Sequence, residues 1–252
     1  MLSGLRRTLL PVRSLKVGKA ELSTLTLTDS QANATGSYLK EDVSPELKHP
    51  DYFGVHSLIS MEKLFDKGAH FGHKSSLRNP YMAEYLYGSR LGHDIFDLNQ
   101  TTALLKDALN VLAHIAYRGG VILFVSRNKQ MIPEIEAAAR ECGEYAHCRE
   151  WKSGTFTNSS LIYGSVTRLP DACVFLSTQN TVFKQHEAVV ESAKLLIPTF
   201  GIVDSDCDPR LISYPVPAND DTPRAMRFYL DTIKSAILKG KQKAKEDDVK
   251  KK

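Results

Sequence analysis

Cysteine is scarce in this chain of 252 residues. The four present, Cys142, Cys148, Cys173 and Cys207, are too few and too scattered for a disulfide framework, and such usage suits a reducing compartment. Long apolar runs are absent as well. Nothing approaches the roughly 18–20 residues that span a bilayer, so no membrane partner is expected. No Gly-x-Gly-x-x-Gly follows a strand pattern, and there is neither a Walker loop nor a Gly-x-Ser-x-Gly elbow. Phosphate cradling by a Gly-rich turn and serine acyl chemistry therefore lack support. No catalytic residue, cofactor or small-molecule substrate is expected.

Net charge is also small, +4, but it is unevenly placed. Residues 1–20 hold Arg6, Arg7, Arg13, Lys16 and Lys19 with no acid, and residues 239–252 hold seven lysines against Glu246, Asp247 and Asp248. The ends thus carry +5 and +4, which leaves −5 on the 218 residues between them. A chain wrapped wholly in RNA would show a basic body. Contact with nucleic acid is expected through limited patches. Residues 1–20 interleave basic residues with Leu, Val, Ser and Thr, the composition of a mitochondrial transit peptide. A basic arm binding nucleic acid is the other reading. The apolar stretch Leu9–Val12 is too short for a secretory core. Residues 21–56 read as a polar extension.

What is present is a regular alternation of strand and helix patterns from Ser57 onward. Helices are expected at 57–67, 101–117, 131–142, 181–195 and 220–239. Strands are expected at 85–87, 93–98, 121–125, 145–151, 172–176 and 199–203. Leu104, Leu105, Ala108, Leu109, Leu112, Ile115 and Ala116 share one helical face. The continuous apolar run Val121–Val125 suits a strand buried on both faces of a parallel sheet. Gly119–Gly120 ends one helix, and Pro133 and Pro223 fit first turns. Asp220 and Asp221 are expected to cap the last helix, whose lysine-rich continuation is expected to fray. This alternation predicts a doubly wound three-layer α/β domain with a mostly parallel sheet. It spans residues 57–238, with a basic helical tail at 239–252.

Several clusters could carry chemistry. His70 and His73 lie in GAHFGH, but Gly68 and Gly72 argue for a loop, and no cysteine lies nearby to complete a zinc site. Packing is the preferred reading, and no metal is assigned. Asp204, Asp206 and Asp208 alternate like the opening of a calcium loop. Pro209 stands where that loop needs glycine and Pro215 where it needs glutamate, so these acids are expected to bond local backbone amides. Trp151, the only tryptophan, is read as core rather than as a base-stacking platform.

Four motifs in order give the chain a family likeness. The first is Gly68–His73, Asn79–Met82, Tyr87–Arg90 and Ile95–Leu98 leading to Thr101. The second is the turn WKSGTFTN with Trp151, Gly154, Thr157 and Asn158. The third is LPDACVFL, and the fourth is Pro198–Pro209 with Val216–Asp221. The set resembles the small-subunit ribosomal protein S-two family, in a mitochondrial member. The resemblance implies a flavodoxin-like fold and a structural subunit near the head–body junction. The implied partners are small-subunit mitochondrial ribosomal RNA and neighbouring ribosomal proteins, and the implied location is the mitochondrial matrix. Bacterial members carry a long helical hairpin between the Thr-Asn turn and the Leu-Pro-Asp strand. Here only residues 159–168 occupy that place.

On this reading the residues assigned to RNA are His73, Lys74, Arg78, Asn79 and Arg90 in the signature loops, Arg127 and Lys129 at a strand end, and Arg149 and Lys152 beside Trp151. The plain alternative for each charge is a solvated surface, and for Asn79–Pro80 a turn. An enzyme on the same fold would need an acid, base or phosphate cradle, and none stands out. A non-ribosomal interaction protein would not need a transit segment.

Overall fold

The computed structural model describes residues 45–181 and 184–251 and divides the chain into two units, 1–48 and 49–252. The expected transit segment and most of the polar extension lie outside the described residues. In the first unit a single helical turn, Pro45–Lys48, is described.

The second unit holds α1 (Met61–Asp66), β1 (Phe71–Lys74), β2 (Leu86–Arg90), β3 (His93–Phe96), α2 (Leu98–Tyr117), β4 (Ile122–Val125), α3 (Ile132–Cys142), β5 (Tyr145–His147), α4 (Ser159–Tyr163), β6 (Ala172–Phe175), β7 (Gln179–Thr181), β8 (Lys184–Gln185), α5 (Glu187–Lys194), β9 (Thr199–Val203), β10 (Tyr214–Pro217) and α6 (Pro223–Lys251). Five strands form one parallel sheet in the order β10-β9-β6-β4-β5. That is the flavodoxin-like order 2-1-3-4-5 of a doubly wound fold, with the chain reversing direction between β4 and β6.

Strand side chains alternate between two layers. Phe124, Val174, Phe200, Ile202 and Val216 pack with α2, α3 and α6. Val125, Cys173, Phe175 and Val203 pack on the other face with Ala188 and Val189 of α5, and with Trp151, Phe156, Met82 and Phe96. The three-layer expectation is met. Local signals explain the helices. Asp97 caps α2 by accepting from Asn99 N at 3.0 Å. Pro133 occupies the first turn of α3, and Gly143 ends that helix in the left-handed region at φ 66°.

Several expectations differ: the strand expected over 145–151 ends at His147, and the helix expected over 57–67 begins at Met61, capped by Ser60. The GAHFGH segment is not all loop, since Phe71–Lys74 is a strand paired with β3. A Cβ on Gly72 would stand 3.0 Å from Ser205 Oγ and 3.2 Å from Asp94 O, so the glycine serves close approach rather than a turn. The helix expected over 181–195 begins at Glu187, because Gln179–Thr181 pairs antiparallel with Lys184–Gln185. The strand β10 was not expected from its sequence, YPVP. It is an edge strand, where prolines are tolerated. Finally, α6 begins at Pro223 after a turn held by Asn219, whose Oδ1 accepts from Asp221 N at 2.9 Å and Thr222 N at 3.3 Å. Asp220 does not cap it; its side chain is buried elsewhere. The helix then continues through the lysine-rich segment to Lys251 instead of fraying.

That continuation is anchored. Lys241 Nζ donates to Cys142 O at 2.7 Å and pairs with Glu144 at 2.5 Å, while Lys239 Nζ donates to Gly54 O at 2.7 Å. Phe53 and Val55, just before the domain boundary expected at residue 57, are buried in the first core layer.

Candidate nucleic-acid interface

Because the five strands are parallel, their carboxyl ends share one edge, where open α/β sheets place their ligands. The sequences that leave these ends differ in charge. Arg127 and Lys129 follow β4, and Arg149 and Lys152 follow β5. Asp204, Asp206 and Asp208 follow β9, and Asp220 and Asp221 follow β10. The edge therefore has a basic half and an acidic half.

The acidic half is closed by the small antiparallel sheet β1-β3-β2. Its β2–β3 hairpin turns at Leu91 and Gly92, both with positive φ, as a two-residue turn requires. His73 N donates to Ser205 Oγ at 2.8 Å, and Asn79 N donates to Ser205 O at 2.8 Å. The His73 ring lies among the acids. Its Nδ1 is 3.0 Å from Asp204 Oδ1 and 3.9 Å from Asp206 Oδ1, and its Nε2 is 3.2 Å from Asp221 Oδ2. The hydrogen bond to Asp204, aided by the charges of all three acids against the cost of burial, raises the His73 pKa to about 9. The ring is thus an imidazolium at neutral pH. Asp204 also accepts from Ser205 N at 2.5 Å and Asp220 N at 3.3 Å. Asp220 is buried, and burial first, then Asp204 and Asp221, push its carboxyl well above the usual range. Single ligand atoms of His73, Asp204 and Asp206 lie within 4.8 Å of one another, a spacing that can hold a cation. With His73 protonated, its ring supplies the positive charge the acids need.

The residues assigned to RNA sort into two groups. His73, Arg78 and Asn79 are engaged within the chain. The Arg78 guanidinium clasps the fully buried Asp94, with Nε 2.8 Å from Oδ2 and a second bond from Nη2 to Oδ1. The Asn79 side chain accepts from Tyr81 N at 3.0 Å and caps the following turn, as a turn reading requires. Lys74, Arg90, Lys129, Arg149 and Lys152 are exposed, and Arg127 is half-buried. Arg90 lies on the lip of a groove with Phe65, Phe71 and Tyr87. The structure does not bring all nine together: Lys74 and Arg90 sit on the small sheet, and the other four free cations sit on the basic half of the edge.

The signature turn around Trp151 is held by a residue that sequence reading missed. Glu191 of α5 is buried, and its carboxylate accepts from Gly154 N at 2.6 Å, Phe156 N at 2.8 Å and Trp151 Nε1 at 3.4 Å. Trp151 is itself buried, edge-on to Phe156 and His147 at 4.8 Å. The core reading of the lone tryptophan stands.

Each of these motifs is a piece of fold, and together they match one family. The family described as Ribosomal protein S2 matches residues 64–173 and 163–240. The chain belongs to the ribosomal protein S2 family. This S2-family chain is 49% identical over 204 residues to small ribosomal subunit protein uS2m of Bos taurus, covering 81% of this chain and 70% of that protein. It is 33% identical over 224 residues to small ribosomal subunit protein uS2 of Caulobacter vibrioides, covering 72% and 82%. It is likewise 33% identical over 226 residues to the uS2 protein of Rickettsia bellii, covering 72% and 76%. S2-family members are structural proteins, not enzymes, and the charge clusters of this chain are read accordingly. The acids of this half were legible as short local runs, but their meeting with His73 was not, because His73 and Asp204 stand 131 positions apart.

Proposed function

We propose that the chain is a structural constituent of the mitochondrial ribosome's small subunit, working in the mitochondrial matrix. It binds ribosomal RNA and neighbouring ribosomal proteins and so supports mitochondrial translation. The observation that carries the RNA contact is the pairing of two loops. Arg127 and Lys129 leave β4, and Arg149 and Lys152 leave the adjacent strand β5 at the same sheet edge. None of the four enters an ion pair among the described residues, so their charge is available to phosphates. Lys74 and Arg90 offer a second, smaller contact. His73, Arg78 and Asn79 shape the loops that carry it. The acidic half of the edge faces protein or solvent.

In this reading residues 1–20 direct import, 21–56 form an extension, 57–238 form the domain and 239–252 the basic tail. The test is gradient sedimentation of a mitochondrial lysate. The chain should run with small-subunit RNA; recovery among free proteins at the top, while that RNA runs ahead, overturns the proposal.

A further inference from the structure

One cavity in the acidic half of the sheet edge has no assigned occupant. It opens beyond the carboxyl ends of the adjacent parallel strands β6 and β9, which Thr178 and Asp206 follow, and the β7–β8 hairpin forms another wall. This is the edge at which open α/β sheets take ligands. Its volume is about 390 Å³, and the exposed Leu77 stands in its lining.

The lining gathers acceptors. Gln179 Nε2 donates to Asp206 O at 3.1 Å, and Gln185 Nε2 donates to Asp208 O at 3.2 Å. A backbone carbonyl only accepts, so both amide nitrogens are committed and both amide oxygens remain as acceptors. Asp206 and Asp208 add carboxylates, and no Lys, Arg or His lines the cavity among the described residues.

The two carboxylates are not equally satisfied. Asp208 is clasped by Arg210, with Nε 3.0 Å from Oδ1 and Nη2 2.7 Å from Oδ2. The Asp206 side chain is only 9% exposed, yet its one donor from another side chain is the Cys207 thiol at 3.4 Å, a weak donor. His73 Nδ1 lies 3.0 Å from Asp204 and 3.9 Å from Asp206, beyond hydrogen-bond distance of the latter. Thr178 is fully buried in the cavity wall, and its Oγ1 has no hydrogen-bond partner among the described residues beyond the weak Cys207 sulfur. Buried polar groups left so poorly bonded call for a partner from outside the chain.

We propose that the cavity takes the cationic head of a lysine or arginine side chain from a neighbouring small-subunit protein, with the head on Asp206 and the aliphatic stem along Leu77. This rests on the ribosomal reading above and names what the acidic half meets. An ammonium or guanidinium carries several N–H donors and no acceptor, the complement of this lining. The same carboxylates repel phosphate, so RNA does not fit. The apolar wall at Leu77 suits a side-chain stem, which a metal ion lacks.

The test places a photoreactive phenylalanine analogue at Leu77 of the full chain in cells, followed by irradiation and purification of mitochondrial small subunits. The expected product is an adduct to another ribosomal protein, resistant to ribonuclease, linked within a few residues of a lysine or arginine. Asp206→Asn should lower that adduct at least several-fold. It should leave the thermal midpoint of the free purified chain unchanged or raised, because a poorly paired buried charge is removed. Gln185→Lys supplies an ammonium from the hairpin and should lower the adduct as well; it decides the matter if Asp206→Asn destabilises the chain. An adduct to RNA, no adduct, or an adduct equally strong in both variants overturns the proposal. If no protein adduct forms and spermidine or Zn²⁺ alone raises the midpoint of the free chain but not of Asp206→Asn, the cavity belongs to a free cation and the proposal is likewise overturned. If the unmodified chain is absent from the small subunit altogether, the ribosomal reading itself falls, which is a separate result.

Discussion

Single side chains at this sheet edge are tuned in opposite directions, some by burial and some by neighbouring acids. His186 is 2% exposed, and its Nδ1 accepts from Ala188 N at 3.2 Å as the cap of α5. Burial above all, then the positive fields of His147 and Arg127, lower its pKa to about 4, against weaker pulls upward from Glu187 and Glu191. Its folded pKa therefore lies below the unfolded value near 6.5. The unfolded chain binds the extra proton, so this stability is present above about pH 6.5 and is lost as pH falls toward about 4. The loss by pH 5 is roughly 2 kcal/mol. His147, also lowered by burial, acts in the same sense, and His73, raised to about 9, acts against it. His186→Asn retains a capping oxygen but cannot titrate. Chemical denaturation of chelator-treated protein at pH 7 and pH 5 should show a smaller drop in the variant; an equal drop refutes this account.

Among the elements, α6 against α2 is the contact most sensitive to a single atom. A Cβ on Gly240 would stand 2.4 Å from Ala113 O and 3.2 Å from its Cα. The two helices therefore touch backbone to backbone where α6 enters its lysine-rich end. Gly240→Ala should force them apart and cost about 1–3 kcal/mol. The measurement is urea unfolding of the full chain, and a midpoint equal to the original would mean that the helix end shifts freely. Lys241, just beyond this point, is thus part of a packed stretch of helix. Helix and buried strand were legible here because each is written over neighbouring residues: the apolar face of α2, Pro133 in the first turn of α3, and the apolar run Val121–Val125 in β4. Strand β10 was not, because YPVP is a strand only by virtue of lying on the edge of a sheet that other segments build.

For the whole molecule, the proposed RNA contact rests on the division of one edge into basic and acidic halves, which lets a mildly acidic body present four cations together. Replacing Arg127, Lys129, Arg149 and Lys152 together by Gln should weaken binding to isolated small-subunit RNA. It should also lower the slope of log affinity against log salt by about three, since each phosphate contact contributes roughly 0.7–0.9. An unchanged slope would place the RNA elsewhere on the molecule. Arg127 and Lys129 were legible as strand-end charges and Arg149 and Lys152 only as charges beside Trp151; that β4 and β5 are adjacent and parallel, so that both loops face one way, was not legible.

By itself, then, the amino-acid order determined the alternating elements, the two buried faces of the sheet and the ordered family motifs. All of these depend on periodicity and on contacts a few residues long. Only the tertiary structure decided that His73 would meet Asp204 and Asp221, and that Glu191 would hold the Trp151 turn. Those outcomes depend on strand order and on what packs over each face. No local pattern encodes them, because their partners lie tens to more than a hundred residues away.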